Sequence, residues 1–226
     1  MILDQSSSVL ASTRQADLED ARREVDRRRA LEAARELFAL RGFDGTTMSD
    51  VAQHADMSLK ALYAVFSGKD TLFETTIADG YERHLLPLLK IDRGSRHPSE
   101  RVIGLVTDLL AVMDANRSFM VLYARGSAGV PHKLHAEGRD PYAPYMRAFS
   151  DHLSGLIALA RPDVGAQTVH ELAVGTTAAL VALASDAINA EPARLAVDAA
   201  TTLRILLGPL LGLSDSTNVH STTAKE

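Results

Sequence analysis

Cysteine is absent from the 226 residues, so the chain can form neither disulfides nor thiolate metal sites. That absence fits a reducing cytosol. Tryptophan is also missing, aromatic residues amount to only 5%, and glycine and proline are sparse. Alanine, leucine, arginine and glutamate dominate instead, and these are helix formers. No apolar run approaches the roughly 18–20 residues of a membrane span. The opening MILDQSSSVLASTRQADLED lacks the basic start and apolar stretch of a secretory signal. A soluble, cytoplasmic, helical protein is expected, with enough apolar sequence to bury a real core.

The formal net charge of -5 argues against a nucleic-acid partner until its distribution is read. Arg22, Arg23, Arg27, Arg28, Arg29 and Arg35 crowd one stretch that holds only Glu24, Asp26 and Glu32 as counter-charges. Binding to DNA needs a local cationic face, not a cationic protein. A solvated helix face laced with ion pairs is the plain alternative. Charge alone does not decide between them.

Along the chain, residues 1–20 are Ser-rich and aperiodic and are expected to form a disordered tail. A helical pattern begins near Arg22, with Ala30, Leu31, Ala34, Leu37 and Phe38 at three- and four-residue steps and Gly42 placed for a left-handed cap. Thr47 and Asp50 make a capping-box pair at the head of a second helix, whose apolar face is Met48, Val51, Ala52 and Ala55. Ser58 caps a third short helix to Phe66, and Ser67 with Asp70 opens a fourth towards Pro87. Further helices are predicted at 99–115, 117–126, 139–160, 164–189 and 192–212. Gly126 to Pro141 reads as an irregular connection, and 214–226 as a disordered Ser/Thr-rich tail. The expected fold is all-α with about nine helices. Its parts are a three-helix helix-turn-helix domain (21–68, motif 47–66), a connecting helix (69–90) and a larger ligand-binding and dimerisation domain (91–213).

In the third helix, Leu59, Leu62, Phe66 and marginally Val65 fall on one side and are expected to face the core. Lys60, Ala64 and Ser67 lie opposite, flanked by Ala61 and Tyr63. A lysine can donate to guanine acceptors, and alanine methyls can meet thymine methyls. The hydroxyls of Tyr63 and Ser58 can reach phosphates. A short surface helix in any small bundle would look similar, but its neighbours add weight. The helices on either side present their N-termini at Thr47 and at Gly68-Lys69, where free amides and partial positive charge favour phosphate. The candidate DNA contacts are Thr47, Ser58, Leu59, Lys60, Ala61, Tyr63, Ala64, Ser67 and Lys69, with Leu59 counted on both sides.

The run from Arg27 to Ile77 resembles, without a gap, the DNA-binding domain of TetR/AcrR-type regulators. Ala33-Ala34, Leu37-Phe38, Gly42-Phe43, Thr46-Thr47, Val51-Ala52, Ala55, Ser58, Leu62-Tyr63, Phe66, Lys69 and Leu72 carry the resemblance. It implies a repressor-like homodimer that binds double-stranded operator DNA and answers to a small-molecule effector. Thr47, Lys60, Tyr63 and Lys69 are then the leading DNA contacts. Asp56 stands where the family usually has glycine in the turn, and aspartate tolerates the left-handed conformation better than most residues. Ala64 and Val65 replace larger polar or aromatic residues, so specificity is expected to lean on Lys60 and on DNA shape.

Beyond residue 85 the resemblance fades. The helix predicted at 164–189 is apolar and rich in small residues, and the one at 192–212 carries Leu195, Ala199, Leu203, Leu206 and Leu210. Together they are expected to meet a second copy as a four-helix bundle; burial within one monomer is the alternative. Met113, Phe119, Met120, Tyr123, Tyr142, Tyr145, Met146 and Phe149 are candidate pocket walls, with His152, His170, Arg117 and Arg125 as candidate polar anchors. Each could equally be plain core or surface. His132, His135 and Glu137 have feasible metal spacing but sit in a Gly/Pro-rich loop with no further ligand, so no metal or cofactor is expected. Gly126-Ser127-Ala128-Gly129 lacks the spacing of a nucleophile elbow, and no catalytic constellation stands out. A non-enzymatic regulator is the reading. A helical protein-interaction scaffold and a bundle enzyme are its rivals.

Overall fold

The computed structural model describes residues 2–92, 94, 96–125, 130–187, 201, 205, 207, 208 and 211. Regular structure among them is entirely α-helical: α1 Ile2–Arg41, α2 Met48–His54, α3 Leu59–Val65, α4 Lys69–His84, α5 Leu86–Leu89, α6 Pro98–Ala115, α7 Arg117–Arg125, α8 His132–Ala136, α9 Ala143–Ala160 and α10 Ala166–Ala187. The all-α expectation holds. Its differences lie in three places.

First, residues 2–20 continue α1 where a disordered tail was expected. No glycine or proline occurs before Gly42, so nothing local stops the helix. The side chains from Arg14 to Val25 are all exposed, so propensity and pairs such as Arg28 to Glu24 (2.8 Å) support this stretch rather than a core. Second, α4 stops at His84, short of Pro87, because proline has no N–H to bond the carbonyl four residues back; a separate turn, α5, follows. Third, the expected irregular connection contains α8, closed by Gly138 at φ +70. The tail 214–226 and nearly all of the helix predicted at 192–212 lie outside the described residues.

The chain divides into two compact units: Met1–Asp79 with Gly129–Pro141, and Gly80–Ala128 with Tyr142–Glu226. This cuts across the boundary expected near residue 69, because α4 begins in one unit and ends in the other and because α8 belongs to the first.

In the first unit, α1 contributes Ala30, Leu31, Ala34, Leu37 and Phe38 to a core shared with Val51, Ala52, Leu62, Phe66, Leu72 and Phe73. Phe73 meets Phe38 and Phe43 edge-on, with centroids 5.2 and 5.3 Å apart. Such pairs add about 0.5–1.5 kcal/mol beyond their buried area. Arg35, read as part of a surface cluster, is largely buried and bonds Asp79 at 2.6 Å, joining α1 to α4. Leu134 of α8 is fully buried, Lys133 reaches Asp70 at 2.5 Å, and Arg139 grips Glu74.

In the second unit, α9 packs against α6 and α10, and α7 against α10. Val102, Leu105, Leu109 and Met113 of α6, Phe119 and Met120 of α7, and Phe149, Leu153 and Ile157 of α9 form the interior, joined by Val169, Ala173 and Leu180 of α10.

Candidate nucleic-acid interface

The site is assembled by three helix starts. At the first, Thr47 is extended (φ -109, ψ 159), and its hydroxyl accepts from the Asp50 amide at 3.1 Å while donating to the Asp50 carboxylate at 2.6 Å. The carboxylate in turn accepts from the Thr47 amide at 2.8 Å, completing a capping box. These bonds, led by the threonine hydroxyl, hold the Asp50 carboxyl below its ordinary value of 3.8. Thr47 is exposed, but its hydroxyl is already engaged by the cap.

The turn between α2 and α3 depends on one residue. Asp56 has φ 51, and its amide and that of Met57 bond back to Gln53 and Ala52, closing the helix in a Schellman arrangement. Arg29 of α1 donates to the Asp56 carbonyl at 3.0 Å and to its carboxylate at 3.2 Å. The acid that replaces glycine is therefore met by a guanidinium.

Ser58 then caps α3, its hydroxyl oxygen accepting from the Ala61 amide at 3.1 Å. Leu62 (0% exposed) and Phe66 (3%) anchor the helix in the core, with Val65 half-buried. Lys60, Tyr63 and Ala64 are exposed, and Ala61 is half-buried. Leu59 differs from the expectation that it turns inward: at the first position of α3 it is 42% exposed. Its place among the outward side chains stands. The Lys60 ammonium has no partner among the described residues.

Lys69 requires a correction. Its ammonium donates to the carbonyls of Phe43 (3.0 Å) and Thr46 (3.1 Å) and lies 4.1 Å from the centre of the Phe43 ring. Two of its three protons thus fasten α4 to the loop between α1 and α2, where a free phosphate clamp was expected. The two loop carbonyls and the face of the Phe43 ring draw the charge inward. Ser67 is exposed, its hydroxyl 3.1 Å from that of Thr71.

Four of the candidate effector residues, Phe119, Tyr142, Tyr145 and Met146, group around a side chain the sequence reading missed. Tyr81, fully enclosed on α4, stacks on Tyr145 (4.8 Å, 4°) and meets Phe119 and Tyr142 edge-on at 5.6 and 6.2 Å. Its hydroxyl lies 3.6 Å from the Met146 sulfur. The signal was present, since Phe73, Ile77, Tyr81 and Leu85 recur at four-residue steps. Met113, Phe119, Met120, Tyr142 and Phe149 are buried, and Tyr145, Met146 and His152 are half-buried. Burial, then the nearby Glu82, raises the Tyr145 phenol above its usual value. The side chain of Tyr123 lies outside the described residues. His170 is exposed on α10, where it lines an open groove with Met146 of this group and with Val174, Ala178 and Val181; the buried side of that helix runs through Val169, Ala173, Thr176 and Leu180. Arg117 is exposed and Arg125 half-buried.

Residues 30–76 match the family model described as bacterial regulatory proteins, tetR family. The helix-turn-helix is that of the TetR family. Over 104 residues the chain is 30% identical to the HTH-type transcriptional regulator HbdR of Aromatoleum sp. (strain CIB), covering 46% of this chain and 45% of that protein. Over 76 residues it is 36% identical to the uncharacterized HTH-type transcriptional regulator YfiR of Bacillus subtilis (strain 168), covering 33% and 36%. The matched length is thus less than half of either relative. A TetR-like transcriptional regulator from Rhodococcus sp. RHA1 shares the fold beyond the motif. Its TM-score is 0.64 at 22% identity, over 81% of this chain and 96% of that one. Among the described residues no helix is long and apolar enough to cross a membrane, and no three acidic or histidine side chains converge as a metal site.

Proposed function

We propose that this TetR-type chain is a transcriptional regulator that binds a palindromic operator as a homodimer and leaves it when a small molecule occupies the second unit. One observation carries the DNA-binding part: α3 is rooted by Leu62 and Phe66 while Leu59, Lys60, Tyr63 and Ala64 stand outward together between two helix starts. Lys60 and Tyr63 are the base-edge and phosphate readers, Ser58 and Ala61 flank them, and Thr47, Ser67 and Lys69 set the helix starts.

Dimerisation through α10 and the segment 192–212 is supported by the exposed, small-residue side of α10, where Val174, Gly175, Ala178 and Ala182 face outward. Two reading helices one DNA turn apart supply what one trihelical unit lacks in contacts. The effector is proposed to enter among Phe119, Tyr142, Tyr145 and Phe149. Because Tyr81 lies in that cluster and Lys69 heads the same helix, a ligand that displaces Tyr81 would act on α4, and only to the extent that it binds the two states differently.

Titration of labelled duplex with the chain over a range of salt concentrations tests this. A regulator loses affinity steeply as salt rises. Salt-independent binding, or none, would leave a helical scaffold as the better account.

A further inference from the structure

The first unit carries twelve Lys and Arg side chains, and the structure assigns eight of them to partners. Arg23 pairs with Asp20, Arg28 with Glu24, Arg29 with Asp56, Arg35 with Asp79 and Arg41 with Asp50. Lys133 and Arg139 hold Asp70 and Glu74, and Lys69 holds its two carbonyls. Among the described residues, only Arg14, Arg22, Arg27 and Lys60 are left without a hydrogen bond or ion pair. Lys60 is on the reading helix. The other three lie on α1 before its first fully buried residue, Ala30: Arg14 and Arg22 are exposed and Arg27 is half-buried.

The position of two of these is informative. Arg29 is hydrogen-bonded to Asp56, two residues before the Ser58 cap of α3, so α1 passes the reading helix's start at that point. At about 1.5 Å per residue, Arg27 lies about 3 Å and Arg22 about 10 Å further along the axis. Arg22 is one heptad from Arg29 and shares its face. Arg27 precedes Ala30, Ala34 and Leu37 at the same three- and four-residue steps, so it continues the side of α1 that covers α2 and α3. Past the edge of the core, Arg27 continues that side as a cation, while Arg22 lies about 140° round the helix from it, on the side of Arg29 that meets the start of the reading helix. Arg14 lies beyond Asp17, Glu19 and Asp20, whose charges outweigh it.

We propose that Arg22 and Arg27 form a second DNA-contact surface, one that grips backbone phosphates flanking the stretch read by α3. Guanidinium groups suit phosphate because their planar fork donates two parallel hydrogen bonds. The contact carries no base information, so it raises affinity for every duplex alike. It also explains how a chain of net charge -5 meets a polyanion: among the described residues, three of the four unpaired Lys and Arg side chains of this unit sit on the outward face of α3 and the adjoining stretch of α1.

The inference rests on DNA binding as proposed above, and the experiment separates the two. The full chain is titrated against a fluorescein-labelled random-sequence duplex across a salt series, as wild type, R22Q/R27Q, R22K/R27K and, as a charge control in the second unit, R147Q. Each lost phosphate contact flattens the slope of log affinity against log salt by about 0.9. The double glutamine variant is expected to flatten it by about 1.8, which at 0.1 M salt is up to about 60-fold in affinity. The lysine pair should keep most of the slope, R147Q should match wild type, and all variants should keep the wild-type helical circular dichroism. Wild-type slope in R22Q/R27Q overturns this inference alone, as does an equal loss in R147Q. Absence of salt-dependent binding by the wild type overturns it together with the reading it rests on.

Discussion

Replacing Lys69 with alanine separates a brace from a phosphate clamp. In the structure its ammonium donates to the carbonyls of Phe43 and Thr46 and sits over the Phe43 ring. A hydrogen bond to a charged group contributes about 1.5–3 kcal/mol in favourable settings. Here Lys69 is only half-buried, so water competes, and about 0.5–1 kcal/mol for each is the reasonable share. The cation over the ring adds about 0.5–1 kcal/mol. The sum is about 2 kcal/mol, which in a chain of this size lowers the thermal midpoint by about 4–8 °C. Circular dichroism melts of wild type, K69A and K69M measure it. The methionine variant keeps the aliphatic stem and should recover only a small part of the loss. Duplex titrations with the same proteins then show affinity falling alike for all sequences, with a salt slope close to wild type. If K69A melts within about 1 °C of wild type while its salt slope drops by about one phosphate contact, the brace is refuted and Lys69 is a free clamp.

Lys60→Ala should behave in the opposite way: an unchanged melt, with about 1–3 kcal/mol of base discrimination lost at one operator position, read by selection from a randomised duplex pool. Leu62→Ala removes a fully buried side chain beneath the reading face, and chemical denaturation should show a loss of about 2–5 kcal/mol. Tyr81→Ala empties the centre of the aromatic cluster; a loss of about 3–5 kcal/mol with collapse of the near-ultraviolet dichroism is expected, and a small change in both would show that the cluster is loosely packed. The Asp50 carboxyl is held below its ordinary 3.8 by the capping box. Its contribution is therefore present above that value and lost as pH falls through the depressed one. The difference in midpoint between wild type and Asp50→Asn should shrink below about pH 4 and stay constant above it.

Much of this was legible in the chain because it depends on neighbours in sequence. The Thr47–Asp50 box, the Ser58 cap, the left-handed Gly42 and Asp56, and the inward Leu62 and Phe66 all follow from local geometry within one or two turns. Periodicity placed α6, α7, α9 and α10 to within a few residues for the same reason. What failed locally was the tail, where the absence of an apolar period hid a helix that needs no core to extend from α1.

The rest was settled by pairings between residues distant in the chain, which no local pattern records. Whether Lys69 points to solvent or to Phe43 and Thr46 depends on a loop 26 residues away meeting the head of α4. Whether an arginine of α1 is free or committed depends on where Asp56 and Asp79 arrive. Composition could count these charges, but only tertiary contact could pair them. In a low-dielectric fold it is the unpaired remainder that is left to meet a partner.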